Sequence, residues 1–115
     1  ENKEGTLRKI TSAIEESKKT IEKNLSSPPS IQRLSKIADM SETTFRKRFR
    51  EEVGCSPLDY VNRRRVEKAK YLLTKQDSCI KEISHRLGFS SRQYFSTVFK
   101  RVTGLSPGLF IGNRE

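Results

Sequence analysis

Little in these 115 residues is equipped for covalent chemistry. The two cysteines, Cys55 and Cys79, are far apart and have no Cys or His at ligand spacing. They read as reduced structural thiols of a cytoplasmic protein, not as a disulfide or a zinc site. The single histidine, His85, sits between Ser84 and Arg86 with no second histidine, cysteine pair or nucleophile to work with. Paired carboxylates, a glycine-rich phosphate loop and a catalytic triad are all missing, so neither an enzyme nor a bound cofactor is expected. No run of about 18 apolar residues exists to span a membrane, and the N-terminus lacks a signal-peptide pattern. The length allows one domain, or two very small ones sharing an element.

Acidic residues are also the scarcer charge, 14 against 24 basic, for a net +10. Residues 1–30 carry six basic and five acidic side chains, a balance of +1. Residues 31–115 carry eighteen and nine, a balance of +9. The excess therefore belongs to the later part, as expected of a polyanion-binding surface. Charge alone does not separate DNA from RNA or an anionic membrane.

Residues 1–5 read as a frayed terminus. From Thr6 to about Leu25, the residues Leu7, Ile10, Ile14, Ile21 and Leu25 share a narrow helical arc, until Pro28-Pro29 forbids continuation. Ser30 caps a short helix over Ile31 to Ala38, with Ile31, Leu34, Ile37 and Ala38 at helical spacing. After the turn Asp39-Met40-Ser41, a longer helix runs from Glu42 to Val53 on Phe45, Phe49 and Val53, and Gly54 stops it. Ser56-Pro57, with Asp59, is an N-terminal signature for a helix through Leu73, about 25 Å long. Its stripe is Leu58, Val61, Val66, Ala69, Leu72 and Leu73, with Tyr60 and Tyr71 together on the opposite side, which points to a helix covered on two faces. Past a polar connection, Thr74 to Ser78, the short helix recurs over Cys79 to Leu87. The turn Gly88-Phe89-Ser90 leads to a second long helix, Ser91 to Thr103, built on Phe95, Val98, Phe99 and Val102. Gly104 ends it and Ser106-Pro107 opens a last short helix.

The segments on either side of the central helix thus resemble each other. Phe49 to Pro57 matches Phe99 to Pro107 at a shift of 50, and Leu34 to Ser41 matches Ile83 to Ser90 at a shift of 49. The second copy carries one extra residue near the start of its long helix. A short helix, a tight turn and a longer helix with a cationic face make a helix-turn-helix. The expected fold is all-α, with seven helices and two helix-turn-helix subdomains, residues 6–55 and 74–114, joined by a linker helix over 56–73.

A recognition helix offers its N-terminal half to base edges in the major groove of double-stranded DNA. The first copy has Thr43, Arg46 and Lys47 for bases and Arg50 for phosphate. The second has Arg92, Gln93, Ser96 and Thr97 for bases and Lys100 for phosphate. Ser41 and Ser90, at the helix starts, suit phosphate contacts. Successive major grooves lie about 34 Å apart on one face of B-DNA, a distance that a rod with a module at each end bridges, with some DNA bending. Two rivals stand beside this reading: non-specific nucleic-acid binding through phosphates, and a protein-interaction module whose basic face is only solvated. Phe89, Phe95 and Phe99 are expected in the core, and Arg65 in a buried or half-buried ion pair. Tyr94 stays open between packing and DNA backbone contact. Arg63 and Arg64 read as solvated or phosphate-facing.

The order of motifs is highly specific: Leu34-Ser35-Lys36-Ile37-Ala38, Phe45-x-x-x-Phe49-Arg50, Gly54-Cys55-Ser56-Pro57-x-x-Tyr60, Arg65-x-x-x-Ala69-x-x-Leu72-Leu73, Leu87-Gly88-Phe89-Ser90, Tyr94-Phe95-Ser96-x-x-Phe99-Lys100 and Gly104-x-Ser106-Pro107. Over about residues 6–112 it resembles the AraC/XylS-type bacterial transcription regulators. The resemblance implies seven helices, two helix-turn-helix motifs and sequence-specific promoter binding, usually with activation through RNA polymerase. Its base contacts fall by position on the seven residues named above. Asp39 departs from the family's usual Gly, and the end, Phe110 to Glu115, lacks its usual Tyr-Arg. Repair proteins with a similar region carry zinc-binding cysteines that this chain lacks. An effector or dimerisation domain is expected elsewhere, which makes this an excised, monomeric C-terminal domain; the alternative is a small stand-alone regulator.

Overall fold

Polar caps and glycine stops divide the chain where its apolar period breaks, and seven helices result. The computed structural model describes residues 3–75 and 79–112. In order the helices are α1 (Lys3–Lys23), α2 (Ile31–Ile37), α3 (Glu42–Val53), α4 (Pro57–Leu73), α5 (Ile80–Arg86), α6 (Arg92–Thr103) and α7 (Pro107–Gly112). No strand occurs among the described residues, so the fold is all-α. Helix α1 already begins at Lys3, inside the segment expected to fray. Residues 76–78 of the polar connection and 113–115 of the unusual end lie outside the described residues.

The chain forms two compact units that divide within α4, after Val61. In the first, Ile14, Ile21, Leu34, Phe45, Phe49, Cys55, Tyr60 and Val61 form the core. In the second, Val66, Ala69, Leu73, Ile83, Leu87, Phe89, Phe95, Val98 and Phe99 do so. The aromatic pairs repeat as well. Phe49 meets Tyr60 edge-on at 5.7 Å in one unit, and Phe99 meets Phe110 edge-on at 5.4 Å in the other.

The repeat also reaches further back than the turn motifs. Ile14, Ser17 and Ile21 of α1 and Val66, Ala69 and Leu73 of α4 are buried at a constant shift of 52. Helix α4 therefore closes the first unit with its first turns and opens the second with the rest. This double duty bears out the expected cover on a second face at Tyr60 and corrects the stripe at Leu58. Tyr60 is buried, because the first core draws on a different side of α4 from Val66, Ala69 and Leu73. Leu58 is 62% exposed, because it shares the azimuth of the second set but stands before that core begins. Ile37, at the end of the short α2, and Leu7, two turns ahead of Ile14, are exposed too. In α2 the buried place goes to Ser35, whose hydroxyl donates to the Gln32 carbonyl at 2.9 Å; Ser84 does the same to Lys81 in α5.

Between α2 and α3 the chain closes a left-handed turn. Met40 N–H donates to the Ser35 carbonyl at 2.9 Å and Asp39 N–H to that of Lys36 at 3.1 Å, the Schellman pattern. Phe89 and Gly88 bond to Ser84 and His85 in the same way. The residue that must turn left-handed is Asp39 (φ 59°) in the first copy and Gly88 (φ 89°) in the second. The extra residue of the second copy is Ser90, in the turn ahead of the helix cap. That moves the start of α6 one place later than expected.

Candidate nucleic-acid interface

Helices α3 and α6 are built to one specification. Ser41 Oγ accepts the Thr44 N–H at 3.1 Å, and Ser91 Oγ accepts that of Tyr94 at 2.9 Å. Gly54 and Gly104 close the far ends in the left-handed conformation that L side chains resist. Phe45 and Phe49 anchor α3, and Phe95, Val98 and Phe99 anchor α6, all fully buried. A helix held on one side by rings leaves the opposite side to solvent. That side of α3 carries Thr43, Arg46, Lys47 and Arg50, all exposed. Four residues in equivalent places, Gln93, Ser96, Thr97 and Lys100, line α6, with Ser96 half-buried and Arg92 exposed beside them.

The structure thus brings the expected residues of each helix onto one face. It changes the reading of two serines. Ser41 is engaged as the cap of α3, where its hydroxyl also donates to Thr44 Oγ1 at 3.0 Å. Ser90, expected at the head of the second helix, precedes the cap; the hydroxyl beside the first N–H groups of α6 belongs to Ser91.

Two side chains, Glu42 and Lys81, were passed over in the sequence, and His85 was weighed there only for catalysis or metal binding. Glu42, in the first turn of α3, lies 3.8 Å from Arg46 and so puts a carboxylate beside a guanidinium on the exposed side. Lys81 and His85, one turn apart on α5, line an open concavity with Ser90, Ser91 and Arg92. Their i, i+4 spacing in a short polar helix was the available signal. Arg65 is buried, with its guanidinium carbon 5.1 Å from the Phe89 ring centroid, and so is withdrawn from any phosphate. Burial lowers its pKa, and neighbouring Tyr94 works the other way. Tyr94 is half-buried and packs on one side, where its ring meets Phe89 edge-on at 5.9 Å and its hydroxyl accepts from Asn62. Both cysteines are free thiols, Cys55 in the core and Cys79 at the head of α5. Among the described residues no group of three His, Cys, Asp or Glu could hold a metal. None of the described helices is long and apolar enough to cross a membrane.

Two helix-turn-helix units, each presenting a cationic helix, define a DNA-binding domain of the transcription-regulator class. A profile of the helix-turn-helix domain family matches residues 34–112. LumQ of Photobacterium leiognathi, a probable transcriptional regulator, is 33% identical over 87 residues, 76% of this chain and 35% of LumQ. RhaR of Escherichia coli K12, a helix-turn-helix transcriptional activator, is 37% identical over 84 residues, 73% of this chain and 30% of RhaR. Among solved structures, the C-terminal domain of AraT, a response regulator from Geobacillus stearothermophilus, superposes with a TM-score of 0.80. It is 27% identical, over 89% of this chain and 85% of that one. The DNA-binding domain of AdpA, a global transcriptional factor solved with a target DNA, gives 0.78 at 30% identity, over 86% of this chain and 89% of that one. The chain belongs to this helix-turn-helix family, of the AraC type found in transcription regulators. It spans about a third of the length of LumQ and less of RhaR.

Proposed function

We propose that the chain binds double-stranded DNA sequence-specifically to regulate transcription, with α3 and α6 entering two successive major grooves. The observation that carries this is the pair of equivalent exposed faces, Thr43/Arg46/Lys47/Arg50 and Gln93/Ser96/Thr97/Lys100, each opposite a fully buried phenylalanine pair. Arg46, Lys47 and Arg92 fork or point onto guanine, Gln93 pairs with adenine, and Thr43, Ser96 and Thr97 meet either base or the thymine methyl group. Arg50 and Lys100, a turn further along, take phosphates, as do Ser41 at the head of α3 and Ser90 in the turn just before the Ser91 cap of α6. On this reading residues 6–55 and 74–114 are the two reading subdomains and 56–73 the connecting helix.

AdpA, whose DNA-binding domain shares this fold and is 30% identical, was solved on a target DNA, which supports DNA as the partner here. RhaR is named a transcriptional activator, which supports activation of transcription here; contact with RNA polymerase and a cytoplasmic location belong to the same proposal. By itself this segment is read as a monomer, because each unit buries its own core. Footprinting on a selected duplex tests the proposal. Protection of two boxes about one helical turn apart supports it; protection of a single box of about 5 bp contradicts it.

A further inference from the structure

Asn62 and Arg65 stand on α4 with 1% and 8% of their surface exposed, too deep to touch DNA. Both nonetheless lead to the second reading helix. Asn62 Nδ2 donates to the Tyr94 hydroxyl at 3.1 Å. The Tyr94 ring stands edge-on to Phe89, whose ring lies 5.0 Å from Phe95 and carries the Arg65 guanidinium on its face. Tyr94 follows Gln93 directly, in the first turn of α6. We infer that Asn62 and Arg65 are positioning residues, which fix the roll of α6 through Tyr94 and Phe89 and thereby set its specificity for DNA. This inference rests on the proposed reading of α6 as a base-contacting helix.

Apolar contact is non-directional, so rings and branched side chains hold a helix down without fixing its rotation as closely as a hydrogen bond does. Side-chain tips lie about 5–6 Å from a helix axis, so a roll of about 10° moves them by about 1 Å. Hydrogen bonds to base edges do not survive such a shift. Asn62 also looks chosen for direction over stability: its Oδ1 is buried and has no partner among the described residues. An apolar side chain of that size would sit there more easily.

The first unit has no such latch at the equivalent buried positions, which supplies an internal control. Its side-chain bond from α1 to α3 is the exposed one from Thr11 to Glu52 at 3.0 Å, near the far end of α3. The counterpart of Tyr94 at a shift of 50 is Thr44, whose hydroxyl accepts from its own cap, Ser41. The counterpart of Asn62 at the α1/α4 shift of 52 is Ile10, packed against the first core. Loss of the latch should therefore be felt by α6 and not by α3.

The test uses the whole chain and a two-box duplex obtained by selection, with single base-pair changes in each box, read by fluorescence anisotropy. Tyr94→Phe removes one hydroxyl, and Asn62→Leu keeps the volume so that folding, followed by thermal melting, is retained. Each is expected to lower discrimination in the box read by α6 by about three- to tenfold, the scale of one neutral hydrogen bond, with the other box unchanged. The double variant is expected to match the single ones. Arg65→Lys, which keeps the charge without the flat guanidinium, is expected to lower the same discrimination. Unaltered discrimination, or an equal loss in both boxes, overturns the inference while leaving the proposed DNA reading intact. Wild-type protein with no base preference in either box removes that reading and this inference together.

Discussion

Asp39 is the one described residue other than glycine in the left-handed region, with φ at 59°. Asp tolerates that conformation better than most residues but remains less comfortable there than Gly, which the second copy uses at Gly88. Asp39→Gly is expected to stabilise the chain by about 0.5–1 kcal/mol, read as a rise of a few degrees in Tm. Gly88→Ala should lower Tm. At the reading faces the expected effects divide by chemistry. Arg92→Ala or Gln93→Ala should relax preference at one base position and cost about 1–3 kcal/mol there. Arg50→Ala or Lys100→Ala should weaken all duplexes alike. Affinities for a matched and a randomised duplex separate the two classes; a uniform loss from the Arg92 change removes it from the base readers. Most of the exposed face of each long helix was legible in the sequence, because Phe45/Phe49 and Phe95/Phe99 fix which side is buried. Ser91 was not distinguished from Ser90, because both hydroxyls fit a cap and only the turn shows which one the N–H of Tyr94 meets. Glu42 and Lys81 escaped notice for a different reason: an exposed charge carries no period.

Helix ends were the most legible elements. Serine caps and glycine stops mark α3 at both its bounds, and the Ser-Pro pairs open α4 and α7. Replacing Ser41 or Ser91 by Ala should cost about 1 kcal/mol of stability each, by orphaning one N–H. Phe99, fully buried between Phe95 and Phe110, anchors α6 from the centre of its core. Phe99→Ala is expected to cost about 3–5 kcal/mol, measured by denaturant unfolding, with the second unit melting first. The stripe of α4 was only partly legible. A helical wheel assumes one partner per helix, and α4 serves two cores on different sides. Tyr60 is covered, as its place on a second face suggests, and Leu58 is exposed for that reason. Asn62 drew no attention in the sequence, since a lone amide in a helix is usually solvated; only its 3.1 Å bond to Tyr94 reveals its use.

At the scale of the molecule, the +9 balance of residues 31–115 against +1 for residues 1–30 tracks the repeated helices. A surface so charged releases counterions when it meets a phosphate backbone, so affinity should fall steeply with salt, and removal of Arg50 or Lys100 should reduce that slope by about one unit each. Charge alone, however, makes only a non-specific binder. The central claim is that two helices of one chain read bases, and selection from a random double-stranded DNA library at two salt concentrations tests it most directly. The expected result is an asymmetric motif of two boxes about one helical turn apart, enriched at both salts. Strong, salt-sensitive binding with no enriched motif would contradict it.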